Sequence, residues 1–321
     1  MSYNFSNLVF EGGGVKSVAY LGAFEVLTKR GIINNIIRTG GTSSGALWAT
    51  IISLGYTLEE AEKILWDLDF SEFMDDTWGV VRDTNRLLSK FGWYQGEYLR
   101  SWIGDLIGRK TGNSEATFYD MDIMKKEKGF KLLYLIGTNL STSSQEIFSA
   151  EHTPQMIVAD AMRISMSIPL FFVPINSQRG DVYIDGGVVN NYPIKLFDSR
   201  RYIYTTCRLP KRFTSNSIYN EETLGFRLDT KEEISNFRNN INEHAKINNI
   251  IDYAQALVHT VLDAQELSHA LSDDKQRTIY IDTLDVKTTD FHLTDENKIA
   301  LVKSGRECTE DYFRWYDRKI R

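Results

Sequence analysis

Cysteine is scarce in this chain, which has only two among 321 residues. Cys207 and Cys308 lie far apart, so they offer neither a disulfide framework nor the close ligand spacing of a metal site. We therefore expect a reduced, intracellular environment and no metal. The hydrophobic and charged fractions, 42% and 25%, are those of an ordinary globular protein.

Long apolar runs and a surplus of positive charge are also lacking. No stretch approaches the ~18 uncharged apolar residues that a membrane-spanning helix needs. The first residues lack the basic and apolar regions of a secretory signal. A net charge of −6 gives no electrostatic reason to expect nucleic acid and does not favour lasting adhesion to anionic membranes. We expect a cytoplasmic protein that is at most peripheral on membranes.

One serine lies in a motif with a chemical meaning. Residues 41–45 read Gly-Thr-Ser-Ser-Gly, and G-x-S-x-G is the pattern of a nucleophile elbow, a sharp turn from strand to helix. Ile36–Thr39 can form the strand before it, and Ala46–Ile52 an apolar helix after it. Gly41 and Gly45 suit the crowded backbone of such a turn. Because the motif also occurs by chance, Ser43 needs further support as a nucleophile.

A run of glycines follows the first predicted strand, Asn7–Phe10, and precedes a helix: Gly12, Gly13 and Gly14. Bare N–H groups at the start of a helix can hold a phosphate or an oxyanion. A Walker A loop would need glycine at Phe10 and Val15, and the dinucleotide fingerprint meets Ser17 at its third glycine. An oxyanion hole is therefore favoured over nucleotide binding.

A serine nucleophile needs a base. The chain has five histidines, none of them in a turn-rich stretch that resembles a catalytic loop: His152, His244, His259, His269 and His292. Asp185 follows the apolar strand 182–184 and precedes Gly186 and Gly187, where a sheet presents side chains at its edge. Asp-Gly-Gly is also an ordinary turn. From the residues alone, both kinds of base stay open.

Taken together, these segments resemble the patatin-like phospholipases. The likeness rests on Glu-Gly-Gly-Gly-Val-Lys at 11–16, Gly-Thr-Ser-Ser-Gly-Ala at 41–46 and Asp-Gly-Gly at 185–187, in that order. The segment 162–169, Met-Arg-Ile-Ser-Met-Ser-Ile-Pro, adds to it. The resemblance covers residues 5–205 well. Ser17 departs from the family pattern, which usually has glycine after the basic residue.

The resemblance implies a lipid acyl hydrolase that works through a serine–aspartate dyad without a cofactor. Ser43 would attack a fatty-acyl ester, and Asp185 would take its proton directly. The resemblance, and not any spacing, selects Asp185 over a histidine and a phospholipid over other esters. The three glycines would form the oxyanion hole, and Lys16 would orient their loop or add positive charge. The implied substrate is a membrane phospholipid or other acyl-ester lipid, met by transient membrane contact.

The order of elements predicts an α/β fold. Strands and helices alternate through residues 7–55, which indicates βαβ units and a three-layer α/β/α arrangement with a mainly parallel sheet. We expect 5–205 to form the catalytic core. Residues 206–321 would complete the same domain with a polar excursion from 211 to 231, a long helix from 247 to 262, a strand at 278–282 and a last helix.

Other functions remain open at this stage. A general carboxylesterase or thioesterase would use the same residues, and a non-catalytic lipid-binding regulatory module would not need Ser43. The aromatic stretch 68–97 fits a flap over an acyl pocket, which makes an activating protein partner plausible, although aromatics packed on their own core are the favoured interpretation. Arg163 is a candidate ligand for a phosphate headgroup, with a surface or sheet-edge salt bridge the favoured alternative.

Overall fold

The computed structural model describes residues 3–74, 89–203, 213–214, 217–229 and 273–320, with scattered positions between 247 and 265. Within these residues, strands and helices alternate along much of the chain. The strands are β1 Asn7–Phe10, β2 Arg38–Thr42, β3 Gly92–Tyr94, β4 Leu132–Asn139, β5 Ser144–Ser149, β6 Leu170–Phe172, β7 Ile175–Asn176, β8 Val182–Asp185, β9 Phe213–Thr214, β10 Ser217–Ile218, β11 Thr223–Asp229 and β12 Thr278–Asp282. The helices are α1 Tyr20–Lys29, α2 Ser44–Ser53, α3 Leu58–Asp67, α4 Glu97–Thr111, α5 Phe118–Lys128, α6 Val158–Ser165, α7 Gly187–Asn190 and α8 Asp295–Ile320.

The central sheet is mainly parallel, as predicted. Its strand order is β12-β11-β1-β2-β4-β8-β7, with β5 also paired to β4. The five strands from β12 to β4 run parallel, and β5, β7 and β8 are antiparallel to their neighbours. Successive residues of β1 face opposite sides: Leu8 and Phe10 join the main core, whereas Val9 joins a second cluster under residues 192–202. The predicted α/β fold, a central sheet flanked by helices, is confirmed.

Local signals in the sequence set several helix ends. Thr57 and Glu60 form a capping box at the start of α3, with Glu60 N donating to Thr57 Oγ1 over 3.2 Å and Thr57 N to Glu60 Oε2 over 2.8 Å. Thr294 Oγ1 accepts from Asn297 N at the start of α8, over 3.3 Å. Among the described helices, none combines the length and the apolar character that crossing a bilayer requires.

The last helix is seated on the first because two glycines let their backbones approach. A Cβ added to Gly22 in α1 would lie 1.9 Å from the carbonyl oxygen of Val302 in α8. A Cβ added to Gly305 in α8 would lie 1.9 Å from the carbonyl oxygen of Ala19. Phe313 of α8 is fully buried, and the guanidinium of Arg30, which follows α1, lies 4.8 Å from the centre of its ring. The C-terminal helix is thereby part of the main core.

Part of the predicted polar excursion at 211–231 is a buried strand. All seven residues of β11 are buried, and the strand pairs with β1 and β12 inside the sheet. The prediction was wrong here because Arg227 and Asp229 suggested a solvent-exposed segment. Their side chains instead form an ion pair, Nη2 to Oδ1 over 3.1 Å, with about 1% exposure each. Mutual neutralisation allows both charges to lie in the core.

The aromatic stretch 68–97 packs on the core where it is described. Phe70 and Phe73 are buried, and the ring of Phe73 lies 5.5 Å from that of Trp102 in α4. Tyr94 packs against Phe171 and Phe172. These contacts agree with the core-packing interpretation rather than the flap, although residues 75–88 lie outside the described part.

Other predicted elements lie partly outside the described residues. The strand predicted at 202–206 begins instead as a 3₁₀ turn, Arg200–Tyr202, and 204–206 are not described. Most of the helix predicted from 247 to 262 is not described either, but its positions 253, 256, 257, 260 and 261 are helical. The predicted strand at 278–282 is confirmed as β12.

Replacing Gly305 with alanine tests the close crossing of α1 and α8. We expect Gly305→Ala to lower the free energy of unfolding by about 1–3 kcal/mol, because its methyl group would meet a backbone carbonyl that cannot move alone. Gly104→Ala is the matched control, because its Cβ would meet only an ordinary contact at 3.5 Å inside α4. That variant should be neutral or slightly stabilised. Urea unfolding would contradict the argument if both variants behaved alike.

Candidate active site

Ser43 lies at a sharp turn between β2 and α2. Its backbone angles, φ 53° and ψ −128°, are unusual for a residue with a side chain. Gly45 makes the turn possible: a Cβ there would lie 2.5 Å from the carbonyl oxygens of Phe10 and Glu11. Strand β2 ends at Thr42, later than the predicted 36–39, because Gly40 and Gly41 belong to the strand and not to the turn. A Cβ on Gly41 would clash with the backbone of Gly45.

The glycine loop lies against the serine. It leaves β1, which pairs with β2 so that Phe10 is opposite Gly41. A Cβ on Gly12 would be 2.9 Å from Cβ of Ser43. The glycine loop and Ser43, two parts of the site that the sequence predicts, are therefore adjacent in space. Lys16, in the 3₁₀ turn Gly14–Ala19, is half-buried and does not line the cavity described below.

The three N–H groups of the loop differ in what they bind. Gly12 N donates to the carbonyl oxygen of Asn191 over 3.1 Å, and Gly13 N donates to Ser44 Oγ over 3.0 Å. Gly14 has φ +55°, and its N–H makes no hydrogen bond to the described residues. Of the three predicted oxyanion donors, Gly14 is the one already open, and Gly13 would have to exchange the hydroxyl of Ser44 for a ligand.

Asp185 ends β8 and is buried, with 4% of its surface exposed. Its Oδ1 accepts from Gly187 N over 2.7 Å, within the Asp-Gly-Gly turn that begins the short helix α7. Gly186 fits tightly here, because a Cβ would lie 2.3 Å from the carbonyl oxygen of Ile136. Oδ2 of Asp185 makes no hydrogen bond of ordinary geometry to the described residues, although the hydroxyl of Ser43 lies near this carboxyl group. That oxygen is left for a proton or a ligand.

Burial makes Asp185 unusually basic. Loss of solvent raises the pKa of its carboxyl from 3.8 to about 7, although the N–H of Gly187 and the nearby hydroxyl of Ser43 both act to lower it. An ordinary aspartate would be a feeble base toward a serine hydroxyl at neutral pH. A carboxylate with a pKa near 7 is matched to that task.

All of these groups border one cavity of ≈ 260 Å³. Ser43, Asp185 and the three glycines lie at one part of its wall. The rest is predominantly apolar, contributed by Leu140, Ile168, Pro169, Phe171, Ile184, Val188, Leu257 and Val261. Neither His152 nor His292 lines it, and the other histidines fall outside the described residues. An apolar cavity beside a serine and a carboxylate suits an acyl chain.

Asn191 links the two halves of the site and is not among the site residues that the sequence predicts. Its Nδ2 donates to the carbonyl oxygen of Gly12 over 3.0 Å, and its own carbonyl oxygen accepts from Gly12 N. Gln265 adds a second link, since its Oε1 accepts from Asn191 N over 2.9 Å and its Nε2 donates to the carbonyl oxygen of Gly187 over 2.8 Å. No local pattern announces such long-range pairs.

Arg163 is neither a headgroup ligand nor a surface ion pair. It is buried, with 3% exposure, and does not line the cavity. Its guanidinium donates to the carbonyl oxygens of Gly96, Gln95 and Val173 over 3.0, 2.6 and 3.1 Å. The expectation was wrong because backbone carbonyls, which no sequence pattern reveals, solvate this charge.

Comparisons of the sequence match this chain to known proteins. A family model described as patatin-like phospholipase matches residues 8–198, close to the predicted 5–205. The uncharacterized protein YqhO of Bacillus subtilis (strain 168) is 31% identical over 315 residues, which cover 94% of this chain and 96% of that protein. The probable lipid hydrolase 463L of Invertebrate iridescent virus 6 is 30% identical over 192 residues, which cover 60% of this chain and 63% of that protein.

Solved structures share the fold. The crystal structure of VipD from Legionella pneumophila superposes on this chain with a TM-score of 0.60. The superposition covers 97% of this chain and 67% of the VipD chain. Its sequence identity is 19%, so the likeness concerns the fold alone. The fold of this chain is thus shared with a solved structure.

The raised pKa of Asp185 predicts a pH-dependent cost in stability. Above pH 7 the folded protein holds a buried charge, and below about pH 3.8 both the folded and unfolded forms are protonated, so the cost disappears. Asp185→Asn should therefore gain stability over wild type as pH rises from 4.5 to 8, by up to roughly 4 kcal/mol. Asp181→Asn, just before β8, is the control. Urea unfolding that showed a pH-independent difference for Asp185→Asn would refute the assignment.

Proposed function

The chain belongs to the patatin-like phospholipase family, and we propose that it is a lipid acyl hydrolase that cleaves fatty-acyl esters of phospholipids. One observation carries the proposal: Ser43, Asp185 and the glycine loop border the same apolar cavity. A serine next to a basic carboxylate supplies a nucleophile, the loop supplies N–H donors, and apolar walls supply affinity for an acyl chain. The probable lipid hydrolase among the relatives supports the same class of substrate.

The first half of the reaction forms an acyl-enzyme. Asp185 takes the proton of the Ser43 hydroxyl as Oγ attacks the ester carbonyl carbon. The carbonyl oxygen gains negative charge and accepts hydrogen bonds from the loop, with Gly14 N–H open and Gly13 N–H released from Ser44. One such donor is typically worth about 10²–10³ in rate. The bond to the alcohol then breaks, and Asp185 returns the proton to the leaving oxygen.

The second half releases the fatty acid. Asp185 takes a proton from water, whose oxygen attacks the acyl carbon on Ser43. The tetrahedral oxyanion again meets the loop. Its collapse breaks the bond to Ser43 Oγ, which regains the proton from Asp185. No group beyond these residues and water is required, and the enzyme ends in its starting state.

The acyl chain would lie along the wall formed by Ile168, Phe171 and Leu257. Burying an apolar chain there is favourable by about 25 cal/mol per Å² removed from water. Since a membrane holds the substrate, the protein would contact its surface transiently. Residues 206–321 belong to the same functional unit in this proposal, because β11, β12 and α8 complete the sheet and core around the site.

Single substitutions in the dyad test the chemistry. We expect Ser43→Ala and Asp185→Asn each to lower fatty-acid release from phospholipid vesicles by roughly 10³-fold or more, because each residue acts in both half-reactions. Asp181→Asn should keep wild-type activity. Persistence of activity in Asp185→Asn would remove Asp185 as the base. No release by wild type would favour a lipid-binding module or a requirement for an activating protein, and release from simple esters alone would favour a carboxylesterase.

The pH profile tests the base independently. Because Asp185 must be deprotonated to act, kcat/KM should rise about tenfold per pH unit below a midpoint near 7 and reach a plateau above it. The measurement is the initial rate at low substrate concentration across pH 5 to 9. A midpoint near 4 would mean that the carboxyl is solvated in the working enzyme, contrary to its burial.

A further inference from the structure

We propose that Ser165, at the C-terminal end of α6, is a positioning residue that holds Ser43 in its reactive backbone conformation. The inference rests on the proposed function, since it concerns how the nucleophile of that reaction is presented. Ser165 lies outside the wall of the cavity and is fully buried. It therefore acts through Ser43 and touches no substrate.

Ser43 needs such support because its conformation is strained. A φ of 53° with a ψ of −128° is outside the regions that residues with a Cβ favour. Strained backbone persists only where the surroundings determine it. Gly41 and Gly45 remove clashes around the turn, but the absence of a clash does not hold a serine in place. An attractive contact to the backbone of Ser43 is required.

The hydroxyl of Ser165 provides that contact in a fixed orientation. Ser43 N donates to Ser165 Oγ over 3.0 Å, and Ser165 Oγ donates to the carbonyl oxygen of Ile136 over 2.6 Å. A hydroxyl has a single proton. Because that proton is committed to β4, the lone pairs of the oxygen face Ser43. Ser165 thereby ties the nucleophile turn to β4, an interior strand of the sheet.

The end of α6 and the residues that follow it, 165–167, also contact β8, the strand that ends with Asp185. Asp185 N donates to the carbonyl oxygen of Ser167 over 2.9 Å, two residues beyond Ser165. The hydroxyl of Ser167 contacts both the guanidinium and the carbonyl oxygen of Arg163. Arg163 in turn binds backbone carbonyls of two other segments, which fixes the end of α6. One rigid turn thus sets the positions of Ser43 and Asp185 together.

Replacing Ser165 with alanine tests the proposal. The change leaves the N–H of Ser43 and the carbonyl of Ile136 without their partner, so we expect kcat to fall roughly 10- to 100-fold while KM stays the same. Covalent labelling of Ser43 by an alkyl fluorophosphonate should slow by a similar factor. The midpoint of the pH profile should move little, because burial, the main cause of the raised pKa of Asp185, is unchanged.

Ser53→Ala is the matched control. Ser53 is also fully buried, lies at the opposite end of α2, and donates from Oγ to the carbonyl oxygen of Lys131 over 2.8 Å. Both variants lose a buried hydroxyl and should lower the melting temperature similarly, by about 2–4 °C. Only Ser165→Ala should slow turnover and labelling. If Ser165→Ala does not fold, Ser165→Cys keeps the size with a weaker acceptor and should show an intermediate labelling rate.

The outcomes separate this inference from the proposed function. Equal turnover and labelling in Ser165→Ala and Ser53→Ala, with hydrolysis intact in wild type, would overturn the role of Ser165 alone. A wild type that is labelled at Ser43 but releases no fatty acid would overturn the proposed substrate, and the labelling rates would still decide the role of Ser165. A wild type that neither hydrolyses lipid nor reacts with the fluorophosphonate would overturn both.

Discussion

The geometry of the site depends on the hydrogen-bond register between three neighbouring strands. Thr42, the last residue of β2, pairs with Ile136 of β4, and the next residue of β4, Gly137, pairs with Asp185. Ser43 therefore leaves β2 at the level where Asp185 ends β8. A slip of one residue would turn each side chain to the opposite face of the sheet. Burial of both faces of β4 in two separate clusters makes such a slip costly.

Much of this arrangement could be predicted from local patterns. Strand β1, the glycine loop and α1 follow one another as the sequence indicates, and α3 begins at a local capping-box pattern, Thr57 with Glu60. The sequence predicted a strand before Ser43 and another before Asp185, although β2, Arg38–Thr42, begins two residues and ends three residues later than the predicted 36–39. Such signals are local, since each depends on the periodicity or on the caps of one segment. Resemblance to a family then supplied what locality could not, the choice of Asp185 as the partner of Ser43.

What escaped prediction depends on contacts between distant segments. The burial of Arg163 could not be predicted, because its acceptors are backbone carbonyls. Every residue has such a carbonyl, so the sequence does not indicate which ones bind the guanidinium. Strand β11 looked polar because Arg227 and Asp229 neutralise each other only once the strand is inside the sheet. Asn191 and Ser165 likewise have partners far along the chain, Gly12 and Ser43. A single sequence contains both residues of each pair, but nothing in it indicates that the two residues contact each other in the folded chain.

The position of β1 between β2 and β11 has a consequence for protein synthesis. A nascent chain that has emerged as far as Asp185 already carries every residue of the proposed chemistry, yet one edge of β1 is still unpaired. The side chain of Glu11 awaits the N–H of Leu228, its partner at 2.8 Å, and Val15 N awaits the carbonyl oxygen of Thr288. The glycine loop thus gains these two supports only after residues 228 and 288 have been synthesised. A ribosome-bound fragment that ends at Asp185 would contain the residues of the proposed chemistry, but its glycine loop would lack the contacts with Leu228 and Thr288.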